Sequence, residues 1–435
     1  MNLATLRRAM AAAGAKKLYA KALAPNDNSK NQIYLGGDFG ALHVLPAGNA
    51  VADPSNKTFK AALRLGWLDD SGVAHPAPNA QLILYPQYPE VRLSGFLSGV
   101  EKEARPSDVM TSRAPGRVLF LGVRNDGVIL AYSSGADTVL ARELATLRDL
   151  EKVGVFQQVA LDGAAGVANR SVLLRELCRI ASAGWMDSRR LNRDGISMPC
   201  AAPNCGGYTL EAELGIVPNA RAAPDFHGWE VKQFGVTTFD RDVATTITLM
   251  TPEPSAGYYA EAGVLKFVSR YGYADRRGRE NRRNFGGQFR FDRRDARTGL
   301  TLTLTGFANG RITDPGGGIR LVDDDGRDAA TWLYTDLIDH WKRKHSSAVY
   351  VPSMKRTEPR RRYRFSPVVR LATGTTFERL LVAIRDQAIV YDPGIKVVSG
   401  PDSTRSKRRS QFRISSARID QLYTSVERVN ACTGG

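Results

Sequence analysis

The sequence has no apolar run close to the roughly 18–20 residues that would cross a bilayer. Residues 1–15 place Arg7 and Arg8 among alanines and lack the continuous apolar core of a signal peptide, so they predict a short amphipathic helix. Both absences argue against a membrane-spanning or exported protein. We therefore expect the protein in the cytoplasm.

Cysteine is scarce, since the 435 residues include only Cys178, Cys200, Cys205 and Cys432. Only Cys200 and Cys205 lie close together, and neither a second pair nor histidines at zinc-ligand spacing accompany them. At this cysteine density a disulfide framework is not expected either. The sequence therefore predicts neither a structural zinc site nor a set of disulfide bonds.

Acidic residues are few relative to basic ones: 44 Asp and Glu residues stand against 61 Lys and Arg residues, which gives a net charge of +17. Residues 1–165 hold 18 cations against 15 anions, and the remainder holds 43 against 29. Such a chain attracts polyanions, either nucleic acid or an anionic membrane surface. Clustered arginine favours nucleic acid, and the basic runs lack the apolar partner face of a membrane-surface helix.

The length and the pattern of strands and helices predict more than one domain. We expect a β-rich N-terminal domain over residues 1–155, because it contains several short strand patterns and few helices. Residues 156–168 are assigned to a linker rich in small side chains. Residues 169–435 mix helix and strand patterns and form a second domain.

Four segments give the clearest local predictions. They are a hairpin of residues 117–124 and 128–132 around Asn125-Asp-Gly127, a helix with Leu173, Leu174, Leu177 and Ile180 on one face, a buried strand over 228–234, and a helix over 328–344.

Asp225 and the segment Glu230-Val231-Lys232 have the spacing of a metal-dependent hydrolytic site. Side chains two apart on a strand share a face, so Glu230 and Lys232 would lie side by side, with Asp225 approaching from the preceding strand or turn. Two carboxylates suit a hard divalent cation such as Mg²⁺, and Lys232 could orient water and steady a pentavalent phosphate. The alternative is a surface strand with an ion pair, which the neighbouring Trp229 and Phe234 argue against.

A family resemblance appears at these residues. Gly207-Tyr-Thr-Leu-Glu-Ala-Glu-Leu-Gly-Ile216, followed by Pro224-Asp-Phe-His-Gly-Trp-Glu-Val-Lys232, resembles the MvaI/BcnI family of restriction endonucleases within the PD-(D/E)XK nuclease superfamily. The resemblance covers about residues 168–435. It implies an α/β core with a mixed central sheet, Asp225 and Glu230 as Mg²⁺ ligands, and Lys232 as the catalytic lysine.

The resemblance also implies an accessory acid on the helix before the motif. Glu211 matches that position, with a plain surface glutamate as the alternative and Glu213 as a substitute for the same role. The preceding segment, residues 200–207, departs from the simpler glycine-rich turn expected there and puts the local geometry in question.

Candidate DNA contacts lie in the densest cationic run, which also contains Tyr271, Phe285 and Phe289. A glycine-punctuated loop of this kind could line a DNA cleft. His227, inside the motif, could contact substrate or simply pack. The arginines of this run that we predict to contact DNA are Arg276, Arg277, Arg279, Arg282 and Arg283.

The N-terminal block resembles a second kind of DNA-binding domain. Residues 19–29 and 90–96 are similar to the B3-like pseudobarrel at the N-terminus of the EcoRII enzyme. This implies a site for a second DNA copy that stimulates cleavage, with candidate contacts Asn26, Asn28, Lys30 and Arg92. A turn closed by Asx hydrogen bonds, without a ligand, is the alternative.

Together these observations predict a Mg²⁺-dependent type II restriction endonuclease, of type IIE if the N-terminal domain binds effector DNA. The family implies a short CCNGG-like target in double-stranded DNA, action as a monomer, and a cognate methyltransferase as a functional rather than physical partner. The alternatives are a strand-specific nicking or repair endonuclease and a DNA-binding protein without catalytic activity.

Overall fold

The computed structural model describes residues 1–37, 41, 44–88, 90–147, 150, 152–161, 169–217, 226–240, 244–342, 345, 347–400 and 403–433. The chain divides into two compact units, Met1–Ala168 and Asn169–Gly435. In the part of the chain that is described, no helix is long and apolar enough to cross a membrane.

The first unit is built mainly from strands. Its helices are α1 (Leu3–Ala12), α2 (Ser107–Met110) and α3 (Val139–Thr146), with a 3-10 turn at Lys102–Ala104. Its strands are β1 (Ala15–Ala22), β2 (Ile33–Tyr34), β3 (Val51–Asp53), β4 (Thr58–Ala62), β5 (Arg64–Leu68), β6 (Ala74–Ala77), β7 (Gln81–Tyr85), β8 (Glu90–Ser94), β9 (Val118–Arg124), β10 (Val128–Ser134), β11 (Lys152–Val153) and β12 (Phe156–Val159).

Two sheets make up the first unit, in the orders β11-β12-β1-β9-β10-β5-β6 and β2-β8-β7-β4-β3. Leu63 separates β4 from β5, so the chain passes there from one sheet to the other. The predicted hairpin is confirmed as β9 and β10, which pair antiparallel. Neither sheet closes into a barrel within the described residues, so the β-rich unit consists of two open sheets.

Helices α1 and α3 cover the larger sheet because each has one apolar face. Leu6 and Met10 of α1 and Leu140 of α3 are buried against Phe120 and Leu130 of β9 and β10. Each helix also has an N-terminal cap, since the side chains of Asn2 and Thr138 accept hydrogen bonds from backbone N–H groups of the first turn.

The stretch assigned to the linker is partly structured. Residues 156–159 form β12, which pairs antiparallel with β1 in the larger sheet. Residues 162–168 lie outside the described part of the chain.

The second unit mixes helices and strands. Its helices are α4 (Asn169–Ser182), α5 (Cys205–Glu213), α6 (Tyr258–Tyr271), α7 (Tyr334–Lys342) and α8 (Phe377–Arg385), with a 3-10 helix at Ser416–Leu422. Its strands are β13 (Met186–Asp187), β14 (Arg189–Leu191), β15 (Ser197–Pro199), β16 (Glu230–Gly235), β17 (Thr246–Met250), β18 (Tyr273–Ala274), β19 (Arg282–Gly286), β20 (Thr301–Thr305), β21 (Phe307–Ala308), β22 (Arg311–Ile312), β23 (Gly318–Val322), β24 (Asp328–Leu333), β25 (Ser347–Arg356), β26 (Arg362–Phe365), β27 (Val368–Thr373), β28 (Ile389–Tyr391), β29 (Gly394–Ser399), β30 (Thr404–Lys407), β31 (Phe412–Ser415) and β32 (Ser425–Asn430).

The central sheet of the second unit has the order β13-β26-β25-β27-β32, with β16 joined to β25. The pairing of β16 with β25 is parallel, whereas β25 pairs antiparallel with β26 and β27. The mixed central sheet predicted from the sequence is therefore confirmed. The predicted apolar face of α4 is also confirmed, because Leu173, Leu174, Leu177 and Ile180 are all buried against this sheet.

One helix prediction is partly wrong. Residues 328–333 form strand β24, and the helix begins only at Tyr334. Trp332 is therefore a strand residue: its Nε1 donates to the carbonyl of Pro252 at 3.0 Å, and its ring packs edge-on against Tyr391 and Phe412. The apolar side chains of this segment were compatible with either element, and pairing with β23 decides for the strand.

The cysteines also differ from the prediction, because all four form disulfide bonds. Cys178 of α4 is bonded to Cys432, which follows β32, with their Cα atoms 4.9 Å apart. Cys200 is bonded to Cys205 at the start of α5, with Cα atoms 5.8 Å apart. The first bond joins residues 254 positions apart in the sequence, so no local spacing could reveal it.

Reduction of the Cys178–Cys432 bond is expected to destabilise the second unit. A crosslink restricts the unfolded chain, and its loss typically costs about 2–4 kcal/mol of the free energy of unfolding. Urea denaturation of the Cys178→Ser/Cys432→Ser variant against wild type measures this effect, with Cys200→Ser/Cys205→Ser as the short-loop comparison. Equal stability of the first variant and wild type would contradict the expectation.

Candidate active site

Glu230 and Lys232 lie side by side on the same face of β16. The Lys232 ammonium is 2.6 Å from Glu230 Oε1, so the strand spacing correctly predicted their proximity. The Glu230 side chain is 1% exposed, whereas that of Lys232 is 20% exposed. A buried carboxylate is thus held beside a cation that still reaches solvent.

The opposite face of β16 anchors this strand in the core. Val231 packs in the same buried cluster as Leu173 of α4 and Leu210 of α5. Helix α5 approaches the strand closely at Gly206, where an added Cβ would lie 2.7 Å from the Gln233 side chain. A larger residue at position 206 would therefore require the Gln233 side chain to move from its hydrogen bond to Ser353.

A tight turn leads directly into the strand. Phe226 and Trp229 pair with each other, and the two residues between them, His227 and Gly228, have φ angles of 45° and 85°. Two consecutive positive φ angles are typical of a type I′ turn, in which glycine is favoured at the second position. His227 is exposed at the tip of this turn, and its ring contacts that of Phe226.

Two buried tyrosines lie next to the charged pair. Tyr350 is opposite Lys232 in the parallel pairing of β16 with β25, and its hydroxyl is 2.9 Å from that of Tyr423. Burial raises the pKa of both hydroxyls above the ordinary value for tyrosine, and the negative charge of Glu230 raises both further. Both phenols therefore stay neutral at physiological pH. No local pattern points to Tyr423, because its position depends on a contact with Tyr350, 73 residues away in the sequence.

The two acidic residues of α5 differ in their surroundings. The Glu213 carboxylate is 2.7 Å from the Arg189 guanidinium, in an ion pair between the helix and β14. Glu213 therefore has a structural partner, which weakens it as a substitute for the accessory acid. Glu211 is half-buried two residues earlier on the same helix, which packs against β16.

The third member of the predicted site, Asp225, lies outside the described residues, immediately before the turn at Phe226. Among the residues that are described, no three His, Cys, Asp or Glu side chains are grouped closely enough to hold a metal ion. The donor available from β16 nonetheless suits a hard divalent cation, because Glu230 offers a carboxylate oxygen inside a largely water-excluded site.

The five arginines predicted to contact DNA differ in their availability. Arg279 and Arg282 share the carboxylate of Asp275, and Arg283 donates to the backbone carbonyl of Gly272 at 2.6 Å. The Arg279 guanidinium is the largest cause that lowers the pKa of Asp275 below the usual range, and the Asn284 side chain lowers it further. Arg276 and Arg277 are exposed at the tip of the β18–β19 hairpin.

Three aromatic residues of that run, Tyr271, Phe285 and Phe289, are core residues and not a surface for DNA bases. Phe285 and Phe289 are fully buried and stack on each other, and Tyr271 is buried against Phe267. The run therefore combines core aromatics with surface arginines, and on β19 itself Arg282 projects from the face opposite that of Phe285.

Three of the four N-terminal candidates line one cleft of about 560 Å³ in the first unit. They are Asn26, Lys30 and Arg92, and the cleft is completed by Asp27, Asn31, Gln32, Tyr34 and Tyr85. The Arg92 guanidinium lies over the Tyr85 ring at 5.2 Å from its centre and is 2.7 Å from Glu90.

Asn28, the fourth candidate, is a structural residue of the loop that forms the cleft. It is fully buried, its Nδ2 donates to the carbonyl of Pro25, and its Oδ1 accepts from the backbone N–H groups of Lys30 and Asn31. The alternative interpretation, a turn closed by Asx hydrogen bonds, is therefore correct for Asn28. The open cleft lies beside this turn, so both features are present.

Comparison with known proteins identifies the second unit. The model of the MvaI/BcnI restriction endonuclease family matches residues 174–423. The solved structures that match include two whose alignments each cover 61% of this chain and 99% of the matched chain. They are the restriction endonuclease MvaI in complex with its cognate DNA substrate (17% identity, TM-score 0.46) and MvaI in the absence of DNA (18% identity, TM-score 0.35). No curated protein matches.

The matched segment spans more than half of the chain and contains β16 and its neighbours. The chain therefore belongs to the MvaI/BcnI restriction endonuclease family, and the resemblance inferred from its sequence is confirmed. This membership supports a site-specific DNA endonuclease. The match lies entirely within the second unit, so it carries no information about the first.

Proposed function

We propose that the protein is a Mg²⁺-dependent type II restriction endonuclease with Asp225, Glu230 and Lys232 as its catalytic residues and Glu211 as an accessory acid. The observation that carries this proposal is the buried Glu230 carboxylate 2.6 Å from Lys232 on one face of β16. We further propose that the target is a short, CCNGG-like sequence and that the enzyme cleaves it as a monomer. A cognate methyltransferase would protect the DNA of the host cell from cleavage.

In this mechanism Asp225 and Glu230 hold the metal through carboxylate oxygens. When bound, Mg²⁺ supplies Lewis-acid stabilisation of the phosphate and lowers the pKa of a water molecule. Lys232 Nζ, oriented by Glu230, donates hydrogen bonds to the attacking water or to a phosphate oxygen. The neutral hydroxyls of Tyr350 and Tyr423 fill the site behind the pair without adding a competing charge.

The direct test is incubation of the purified protein with unmethylated phage-sized DNA in Mg²⁺, beside an EDTA control and Asp225→Ala. Discrete fragments in Mg²⁺ alone, absent with Asp225→Ala, support the proposal, and their ends map the target. Cuts confined to one strand would favour the nicking endonuclease. Uncut DNA that still shows a salt-dependent gel shift would favour the non-catalytic DNA-binding protein.

We also propose that the first unit binds a second DNA copy and stimulates cleavage, as in a type IIE enzyme. The cleft favours this role because it combines Lys30, and Arg92 with its partner Glu90, with the amides of Asn26, Asn31 and Gln32. Amide side chains read base edges, and cations contact phosphate or guanine.

Replacing Lys30 and Arg92 by glutamine is expected to remove this stimulation. Added target duplex should accelerate cleavage of a single-site plasmid by wild type but not by the double variant, because both cleft cations are lost. Lys102→Gln, an exposed cation elsewhere in the unit, is the control and should keep the acceleration. Acceleration retained by the Lys30/Arg92 variant would exclude the cleft as the effector site.

A further inference from the structure

The four-stranded sheet β18-β19-β29-β30 brings together cations from distant parts of the chain. Its register places Arg282 opposite Val398 and Val398 opposite Arg405. Lys396, two residues before Val398, lies opposite Lys407. Directly opposed residues project from the same side of a sheet. Arg282, Lys396, Arg405 and Lys407 therefore form one surface, which we call the cationic sheet face.

The other side of this sheet packs against the core. Phe285 of β19 lies opposite Ile395 of β29, and both side chains are buried. Strand β30 is exposed along its whole length. Arg405 and Lys407 are thus exposed, Arg282 and Lys396 are half-buried beside them, and the apolar side of the sheet packs against the rest of the unit.

Most of these cations have no counter-ion in the described part of the chain. Arg282 shares Asp275 with Arg279, but Lys396, Arg405 and Lys407 form no ion pair with any described carboxylate. The densest cationic run of the sequence, which begins at Arg276, is therefore partly neutralised by nearby carboxylates. The shorter run on β30, which contains Arg405 and Lys407, is not neutralised by any described carboxylate.

The opposition of Lys396 and Lys407 is the most informative feature. Like charges that face each other across antiparallel strands destabilise a sheet. Lysine on an edge strand such as β30 is a common protection against aggregation, but that role does not require a second lysine opposite it on the inner strand β29. A bound polyanion would relieve the repulsion between them.

We propose that the cationic sheet face binds the phosphate backbone of duplex DNA and adds a positioning surface to the catalytic unit. This inference rests on the proposed function in one respect, because it takes DNA as the polyanion. Each phosphate neutralised by a lysine or arginine releases condensed counter-ions, so the face should contribute to the salt dependence of binding.

The test uses the full-length chain, a fluorescent random-sequence duplex and EDTA to prevent cleavage. Affinity is measured by anisotropy over a range of salt concentrations for wild type and for Lys396→Gln/Arg405→Gln/Lys407→Gln. The matched control, Arg124→Gln/Arg327→Gln/Arg385→Gln, removes the same charge from three exposed arginines that are each paired with a neighbouring aspartate.

The slope of log affinity against log salt should fall by about 2–3 in the sheet variant, at roughly 0.9 for each lost phosphate contact. The control should change the slope by less than about 1, because its arginines are already neutralised. Equal slopes for the two variants would overturn the inference even if wild type cleaves DNA. A reduced slope in the sheet variant, with a wild type that binds but never cleaves, would support the cationic sheet face and reject the proposed function.

Discussion

Replacing Lys232 by alanine is expected to lower the rate of DNA cleavage at least about 100- to 1000-fold, the loss typical when a group that stabilises the transition state is removed. Its ammonium is the cation that Glu230 holds at 2.6 Å on the partly exposed side of β16. DNA binding should change little, since Lys232 is one of 61 lysines and arginines and other cations are proposed to contact phosphate. Single-turnover cleavage in Mg²⁺, beside anisotropy in EDTA, measures the two properties separately.

Glu230→Gln is the companion variant, because it keeps the shape of the side chain and removes its charge. It should lose cleavage to a similar extent, as should Asp225→Ala. Lys266→Ala removes an exposed lysine of α6 and should cleave at the wild-type rate. Cleavage by Lys232→Ala at the rate of Lys266→Ala would contradict the assignment of the active site to β16.

Trp332→Ala is expected to lower the free energy of unfolding by about 3–5 kcal/mol, the usual cost of truncating a fully buried tryptophan. The indole is buried between Tyr391 and Phe412, so its loss would leave a cavity among strands β24, β28 and β31. The carbonyl of Pro252 would also lose a buried donor, though Ser410 still donates to it. Urea denaturation followed by circular dichroism measures the change.

Trp185→Ala provides the comparison, because Trp185 is only half-buried and carries the Arg356 guanidinium over its ring at 4.7 Å from the centre. A partly exposed cation–π contact contributes about 0.5–1 kcal/mol, so this variant should lose far less stability. If the two tryptophan variants unfold at the same denaturant concentration, Trp332 does not occupy the core position described.

Local sequence patterns predicted the elements whose stability comes from neighbouring residues. The β9–β10 hairpin follows from Asn125-Asp-Gly127, and α4 from its leucines at helical spacing. The sequence predicts a helix over residues 328–333 because Trp332, Leu333, Leu337 and Trp341 also fit one helical face. Only pairing with strand β23 distinguishes the strand from the helix, and such pairing cannot be predicted from a short stretch of sequence.

The same limit applies to the candidate site. The adjacency of Glu230 and Lys232 depends on the two-residue period of one strand, so their spacing was sufficient to predict it. Three other features depend on contacts between separate elements and could not be predicted in this way. They are the contact between the hydroxyls of Tyr350 and Tyr423, the ion pairs of Arg279 and Arg282 with Asp275, and the Cys178–Cys432 bond. Residue type alone could not distinguish a neutralised arginine from an available one.

The bond between Cys178 and Cys432 also has a consequence for how this unit can be joined to other proteins. It places Cys432, which follows β32, beside α4, whose 14 residues span about 21 Å, so Asn169 lies no farther than that from the bond. Domains whose ends lie close together tolerate circular permutation and insertion into the loops of a host protein. The described residues that open and close this unit, Asn169 and those around Cys432, therefore lie close together, which would allow the unit to be inserted into a loop of a host protein.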